Sequence, residues 1–258
     1  MGKTMKKKKK KAAMIAAETM AGIAGVSAAT VGVVALEVSV SGRTRYYNAE
    51  CNHYRRVLAA EVKENRHVLN EKLKTDPNYV GDRTKAVATA YKYEAADVKM
   101  GGKGSANWNA SERKELLETG KVRGSEGHHI NSVAENPSQQ TDPNNIRFYR
   151  SKKEHLEEGH NGNYRNPSSG QLVDRDIMLK NTNRKRVIAN EALGVLVVGA
   201  VGACTGLGYS IYNTCKREGV TFRSLKKGFR TSGNNVMYST LSFLACYGAF
   251  RGVDLINK

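Results

Sequence analysis

Residues 126–160 read EGHHINSVAENPSQQTDPNNIRFYRSKKEHLEEGH, and four of the six histidines in the 258-residue chain (His128, His129, His155, His160) fall inside them. Two are adjacent at the start and two lie five apart at the end. Imidazole is the commonest transition-metal ligand and the usual general base near neutral pH, so histidines gathered in this way point to a site. The local structure reads in order. His129-Ile130-Asn131-Ser132-Val133 alternates enough for a short strand. Asn136-Pro137-Ser138 and Thr141-Asp142-Pro143-Asn144 are turn chemistry, since a proline pushes the residue before it out of the helical region. Asn145–Tyr149 reads as a second strand with Ile146 and Phe148 on one face. Ser151-Lys152-Lys153-Glu154 has the spacing of a capping box, which predicts a helix from Ser151 carrying His155 in its first turns. Gly159 is the expected helix stop, in the left-handed conformation. A strand, long loop, strand and helix in that order bring the imidazoles together.

Further motifs extend the pattern: Trp108, Leu116-Leu117, Gly120-Lys121-Val122, Glu126-Gly127-His128-His129-Ile130, Asp142-Pro143-Asn144-Asn145-Ile146, Glu154-His155-Leu156 and Gly162-Asn163-Tyr164-Arg165-Asn166. In this order, from about Gly104 to Leu172, they resemble the HNH, or ββα-metal (His-Me finger), nuclease family. The likeness is to the GHH branch found in bacterial polymorphic toxins and phage proteins. The resemblance implies an α+β fold, with a ββα-metal core between helical segments. It implies His128, His155 and His160 as ligands of one divalent metal ion, with Mg2+ or Zn2+ expected first and Ni2+ or Mn2+ as alternatives. His129 would be the general base, Asn145 would fix the loop and orient that base, and Glu126 would hold a neighbouring basic group or histidine. On an ideal α-helix His160 lies about 140° around from His155. His160 can therefore join the site only if the helix ends before Gly159 and the chain turns back.

The chemistry such residues support is hydrolysis of a phosphodiester, with His129 taking a proton from water and the metal polarising the phosphate. Arg147, Arg150, Lys152 and Lys153 fall on the second strand and the helix start, where they suit phosphate contacts. Nothing in the stretch reads base sequence. The expected activity is a low-specificity, metal-dependent endonuclease acting on DNA, with RNA as a weaker candidate and an immunity protein as partner if the chain is a toxin. Two alternatives come from other classes: a membrane-associated helical protein whose histidines hold a structural metal, and a nucleic-acid-binding module without catalysis.

A net charge of +18 fits a partner carrying phosphate, either nucleic acid or anionic lipid. Seven lysines lie in the first 11 residues, a solvated tail by composition, and the basic character continues beyond them. Cys51, Cys204, Cys215 and Cys246 are scattered without a CxxC, which excludes a disulfide framework or zinc finger by spacing and fits a reducing, cytoplasmic setting. Secretion as a toxin stays open. Composition divides the chain into a basic tail with an apolar Gly/Ala-rich helix (1–42), an amphipathic helical region (43–100), the nuclease domain (101–175) and a Gly-rich apolar helical region (176–258). In the second, Tyr47, Cys51, Tyr54, Leu58, Val62, Leu69 and Leu73 recur at helical steps up to a stop at Asp76-Pro77-Asn78. A second helix is expected from about Asp82 to Val98, and Trp108 as a packing anchor. Residues 20–36 are uncharged and 192–212 form a 21-residue uncharged run containing Gly202 and Gly206 in GxxxG spacing. Either run could pack in a small-residue bundle or associate with a membrane. The length of 192–212 favours the membrane for that segment.

Overall fold

The computed structural model describes residues 2–256, with side chains described for 32 and 35–249. The lysine block and most of the 20–36 run fall outside those side chains. The fold is α+β: mostly helical, with a two-stranded sheet as the one sheet among the described residues. The contacts divide it into two compact units, Tyr46–Ile188 and a second made of Met1–Arg45 with Ala189–Lys258.

In the unit Tyr46–Ile188, helix α1 (Gly2–Thr75) supplies its last stretch and stops where Pro77 has no N–H to continue it. Helix α2 (Arg83–Lys99) packs Tyr93, Ala96 and Met100 with Cys51 and Leu58 of α1. Its other face, Ala86, Ala90 and Val98, meets Trp108, Leu116, Val122, Ile146 and Phe148. α2 thus has a core on each side, one with α1 and one with the elements around the histidines. Helix α3 (Ala110–Thr119) begins in a complete capping box between Asn109 and Glu112 and ends at left-handed Gly120.

One buried acid ties these pieces together. Glu94 of α2 accepts from Ser105 N–H (2.7 Å) and from Trp108 Nε1–H (2.9 Å), and it pairs with the guanidinium of Arg175. Both charged side chains are fully buried. Arg175 also donates to the carbonyls of Pro143 and Ile146, each at 2.8 Å, and lies over the Phe148 ring. The glycine-rich stretch 101–105 wraps this carboxylate and its neighbour Asp97, which accepts from Gly104 N–H at 2.8 Å.

Strand β1 (Glu126–His129) pairs antiparallel with β2 (Ile146–Tyr149), Glu126 opposite Tyr149 and His129 opposite Ile146. The strand expected over 129–133 therefore lies three residues earlier. After His129 the backbone leaves the ladder: Ile130 N–H finds the Asn145 carbonyl, and Ser132 N–H finds the Ser168 carbonyl. Ser151 caps the short helix α4 (Lys152–Glu154) as its spacing predicts, but the Glu154 carboxylate takes Arg150 N–H instead of closing the box on Ser151. Gly159 does not stop the helix in a left-handed conformation; that conformation falls to Asn161 and Gly162.

In the other unit, Val198 of helix α5 (Arg175–Glu218) and Tyr247 of helix α7 (Gly233–Ile256) are buried with Leu36, Phe243 and Leu244 around them. A Cβ at Gly202 would stand 2.7 Å from the Thr240 backbone, and one at Gly206 2.4 Å from the Asn235 carbonyl oxygen. The GxxxG pair thus lets the α5 and α7 backbones approach closely, as small-residue ridges allow. α5 is also long and apolar enough to cross a membrane, with a mean hydropathy of 1.9 over its best 18 residues.

Candidate metal centre and nuclease site

β1 ends on the histidine pair, and successive residues of a strand point to opposite faces. His128 is buried, 6% exposed, while His129 is intermediate. After α4 the chain widens into a π-helical turn, His155–Gly159, followed by His160. In a π-turn residues five apart come into register. The five-residue spacing, which would splay the two rings on an α-helix, here puts them on one side without any break in the helix before Gly159. One nitrogen from each of His128, His155 and His160 lies within 4.8 Å of the others, and His128 Nδ1 is 2.9 Å from His155 Nε2. His160 Nδ1 sits 3.2 Å from the Asn166 carbonyl, so Nδ1 carries the proton and Nε2 the lone pair. Metal-binding histidines are oriented in this way by a carbonyl behind the ring.

Gly159 has a different role from the one expected. A Cβ there would come within 3.0 Å of His155 Cδ2 and 3.2 Å of Tyr149 Cε2. Gly159→Ala should displace the His155 ring and weaken metal binding about tenfold, the lower end for residues that support ligands. Competitive titration against a chromophoric chelator measures this, and unchanged affinity would show that the cluster tolerates a methyl group there.

Burial disfavours the protonated form of three of these imidazoles, His128, His129 and His155. Burial, then the neighbouring His155, His160, His129 and Arg147, push His128 down to about 4. Burial lowers His155, helped by His160 and opposed by Glu126. Burial also lowers His129, against the raising effect of its hydrogen bond to Gln140. A histidine with a depressed folded-state pKa binds its proton more readily when unfolded, so its stability contribution is complete above the ordinary value near 6.5 and is lost as pH falls towards the folded value. Metal-free protein should therefore lose thermal stability between about pH 6.5 and pH 4. A Tm that stays flat across that window in chelator would contradict the buried, neutral cluster.

His129 stands apart from the three. Its Nε2 lies 3.1 Å from the Gln140 carbonyl, which leaves Nδ1 as the basic nitrogen. Gln140 is itself fixed, its amide donating to the Tyr79 and Pro137 carbonyls and accepting from Asp82 N–H. Asn145 is fully buried and clamps the loop between the strands: Oδ1 accepts from Asn131 N–H at 2.7 Å, and Nδ2 donates to the Asn131 carbonyl at 3.1 Å. A cavity of about 480 Å3 opens onto His128, His129, His155 and His160, and Arg83 and Arg165 also line it.

The basic residues singled out in the sequence lie on the expected elements but outside the lining of this cavity. Arg150 is committed to Glu112 at 3.2 Å and to the carbonyls of Ala106 and Asn107, over the Trp108 ring. Lys153 lies 3.8 Å from Glu157, and Lys152 is exposed on α4. Arg147 is exposed on β2 opposite His128 and faces a smaller recess. The cations that line the cavity, Arg83 and Arg165, were missed. Arg165 sat within a quoted motif, and Arg83 carried no local signal.

Two strands and a helical turn thus converge three imidazoles, with a fourth held on a carbonyl beside them, in the ββα order that the sequence motifs imply. Residues 81–150 match the model of the family described as GHH signature containing HNH/Endo VII superfamily nuclease toxin. A nuclease-family domain thus lies in this unit, and the matched segment ends before His155 and His160. The chain is also similar to Teneurin-3 of Mus musculus, 32% identical over 111 residues, or 43% of this chain. Teneurin-4 of Mus musculus is 31% identical over 120 residues, or 46% of this chain. The chain spans about 4% of the length of these relatives.

The donor set suits a divalent ion. Three imidazoles converge without a carboxylate among them, a set that fits zinc or another transition metal better than magnesium.

Proposed function

We propose that this protein is a metal-dependent endonuclease that hydrolyses phosphodiester bonds in DNA with little sequence preference. The observation that carries the reading is the tautomer imposed on His129. The Gln140 carbonyl holds its Nε2–H, so Nδ1 is left to accept a proton, on a residue that lines the same cavity as the three-histidine cluster. His129 takes a proton from a water molecule, whose oxygen attacks phosphorus as the P–O3′ bond breaks. The departing O3′ takes a proton from solvent, so that a 5′-phosphate and a 3′-hydroxyl result. A divalent ion held by His128, His155 and His160 would supply Lewis-acid polarisation of the phosphate and stabilise the departing oxygen. Asn145 keeps the loop that presents the Gln140 carbonyl, and Arg83 and Arg165 hold backbone phosphates in the cavity. The net charge of +18 adds attraction that does not depend on sequence. If the domain acts as a toxin, the host that makes it needs an immunity protein, and an acidic one would complement this charge.

The test is cleavage of supercoiled plasmid by full-length protein, with chelator and after zinc, nickel, manganese or magnesium is restored. Nicking that chelator stops and a transition metal restores supports the reading. Folded, metal-loaded protein that cuts neither DNA nor RNA would leave the histidines as a structural metal site.

A further inference from the structure

Helix α6 (Phe222–Arg230) has a circumference divided into three strips. Ser224 and Gly228, one turn apart, are buried against the end of α5: Ser210 Oγ–H donates to the Gly228 carbonyl at 3.1 Å, and a Cβ on Gly228 would stand 2.7 Å from Ile211 Cα. At 100° per residue, Phe222, Leu225 and Phe229 form the next strip, and Arg223, Lys226, Lys227 and Arg230 the third. The apolar strip is open to solvent, with Phe222 83% and Phe229 64% exposed, and Val220 just before the helix is 83% exposed. The orientation is fixed. Gly219 turns the chain with positive φ, and Thr221 and Ser224 close a full capping box.

We infer that α6 is an interfacial helix that docks this unit onto an anionic lipid bilayer. A helix lies in the membrane interface when apolar side chains enter the acyl boundary and adjacent cations meet the headgroups. The apolar and basic strips of α6 adjoin in that arrangement, while the third strip is already packed on the protein. The end of α5 continues the pattern: Tyr209 and Tyr212 are 60% and 52% exposed, and Lys216 and Arg217 follow. Aromatic rings followed by cations mark the headgroup level of membrane proteins. Nucleic acid would satisfy the cations but leave Phe222 and Phe229 in water. A second copy of the chain would cover the phenylalanines but oppose two basic strips. An anionic bilayer satisfies both strips at once.

The experiment is flotation of full-length protein with vesicles of phosphatidylcholine alone or mixed with phosphatidylglycerol, outside any nuclease assay. Wild type should bind the anionic vesicles about tenfold more tightly than the neutral ones. Phe222→Ser with Phe229→Ser should lose about tenfold on anionic vesicles. Arg223→Glu with Lys226→Glu and Arg230→Glu should lose the preference for anionic lipid. All five side-chain changes fall on exposed positions, and thermal melting checks that each variant is folded. Phenylalanine variants that float like wild type, or wild type that binds both vesicles equally, would overturn the inference. So would binding that duplex DNA displaces and the phenylalanine changes leave intact, which would make the surface a nucleic-acid one.

Discussion

His129→Ala should lower the rate of plasmid cleavage by about 10²- to 10⁴-fold, the usual contribution of a positioned general base, while the protein keeps its metal. The two halves of the result have separate causes. The rate falls because Nδ1 of His129 is the nitrogen left basic by the Gln140 carbonyl. The metal stays because His129 is outside the three-nitrogen cluster of His128, His155 and His160. Single-turnover cleavage and metal analysis on the same preparation measure both. If metal is lost together with activity, His129 is a ligand and the base must be sought elsewhere; if the rate survives, the proposed mechanism fails. Gln140 makes the interpretation sharper. It acts on His129 through its backbone, so side-chain replacement at 140 disturbs the loop anchors to Tyr79 and Asp82 without removing the carbonyl itself.

Arg175→Met should destabilise the unit 46–188 by about 3–5 kcal/mol, the range for removing one partner of a buried ion pair. The change strips the counter-charge from a carboxylate that is fully buried and leaves the Pro143 and Ile146 carbonyls without their donor. Methionine fills much of the volume, so the loss is electrostatic and hydrogen-bonding rather than a cavity. Adding Glu94→Gln removes the stranded charge, and the double variant should be more stable than the sum of the single changes predicts, since the partners are in contact. Urea unfolding of the three variants tests this. Strict additivity would mean that Glu94 and Arg175 do not act as a pair.

The sequence was most legible where chemistry and local spacing coincide. The four histidines, Asn145, the proline turns and the Ser151 cap lie within 35 residues, and each carries its own local signal. α2 was placed within a residue of its observed bounds, because an uninterrupted helical period needs no tertiary information. The strand over 129–133 was misplaced for the opposite reason. Alternation alone did not reveal that Ile130 and Ser132 send their N–H groups to Asn145 and Ser168. The π-turn escaped because it adds one residue to a helical turn in service of the His155 and His160 rings, and no residue type announces it. Glu94 looked like any charged residue on an amphipathic helix. Its partner stands 81 positions away, as a basic residue at the head of α5.

That separation bears on when the domain can become active. Contacts between distant parts of a chain form late, because the intervening loop must first close. When His160 has emerged from the ribosome all four histidines of the site are outside, yet Arg175, further along the chain, is still inside the exit tunnel. Until it emerges, Glu94 lacks this cation, and the Trp108 loop and the Pro143 and Ile146 carbonyls lack their common anchor. The order of residues along the chain therefore delays assembly of the proposed nuclease site until synthesis of the unit is nearly complete. Arrested nascent chains of increasing length would show it as protease resistance that appears only after residue 175 has cleared the tunnel; resistance in chains arrested earlier would exclude the delay.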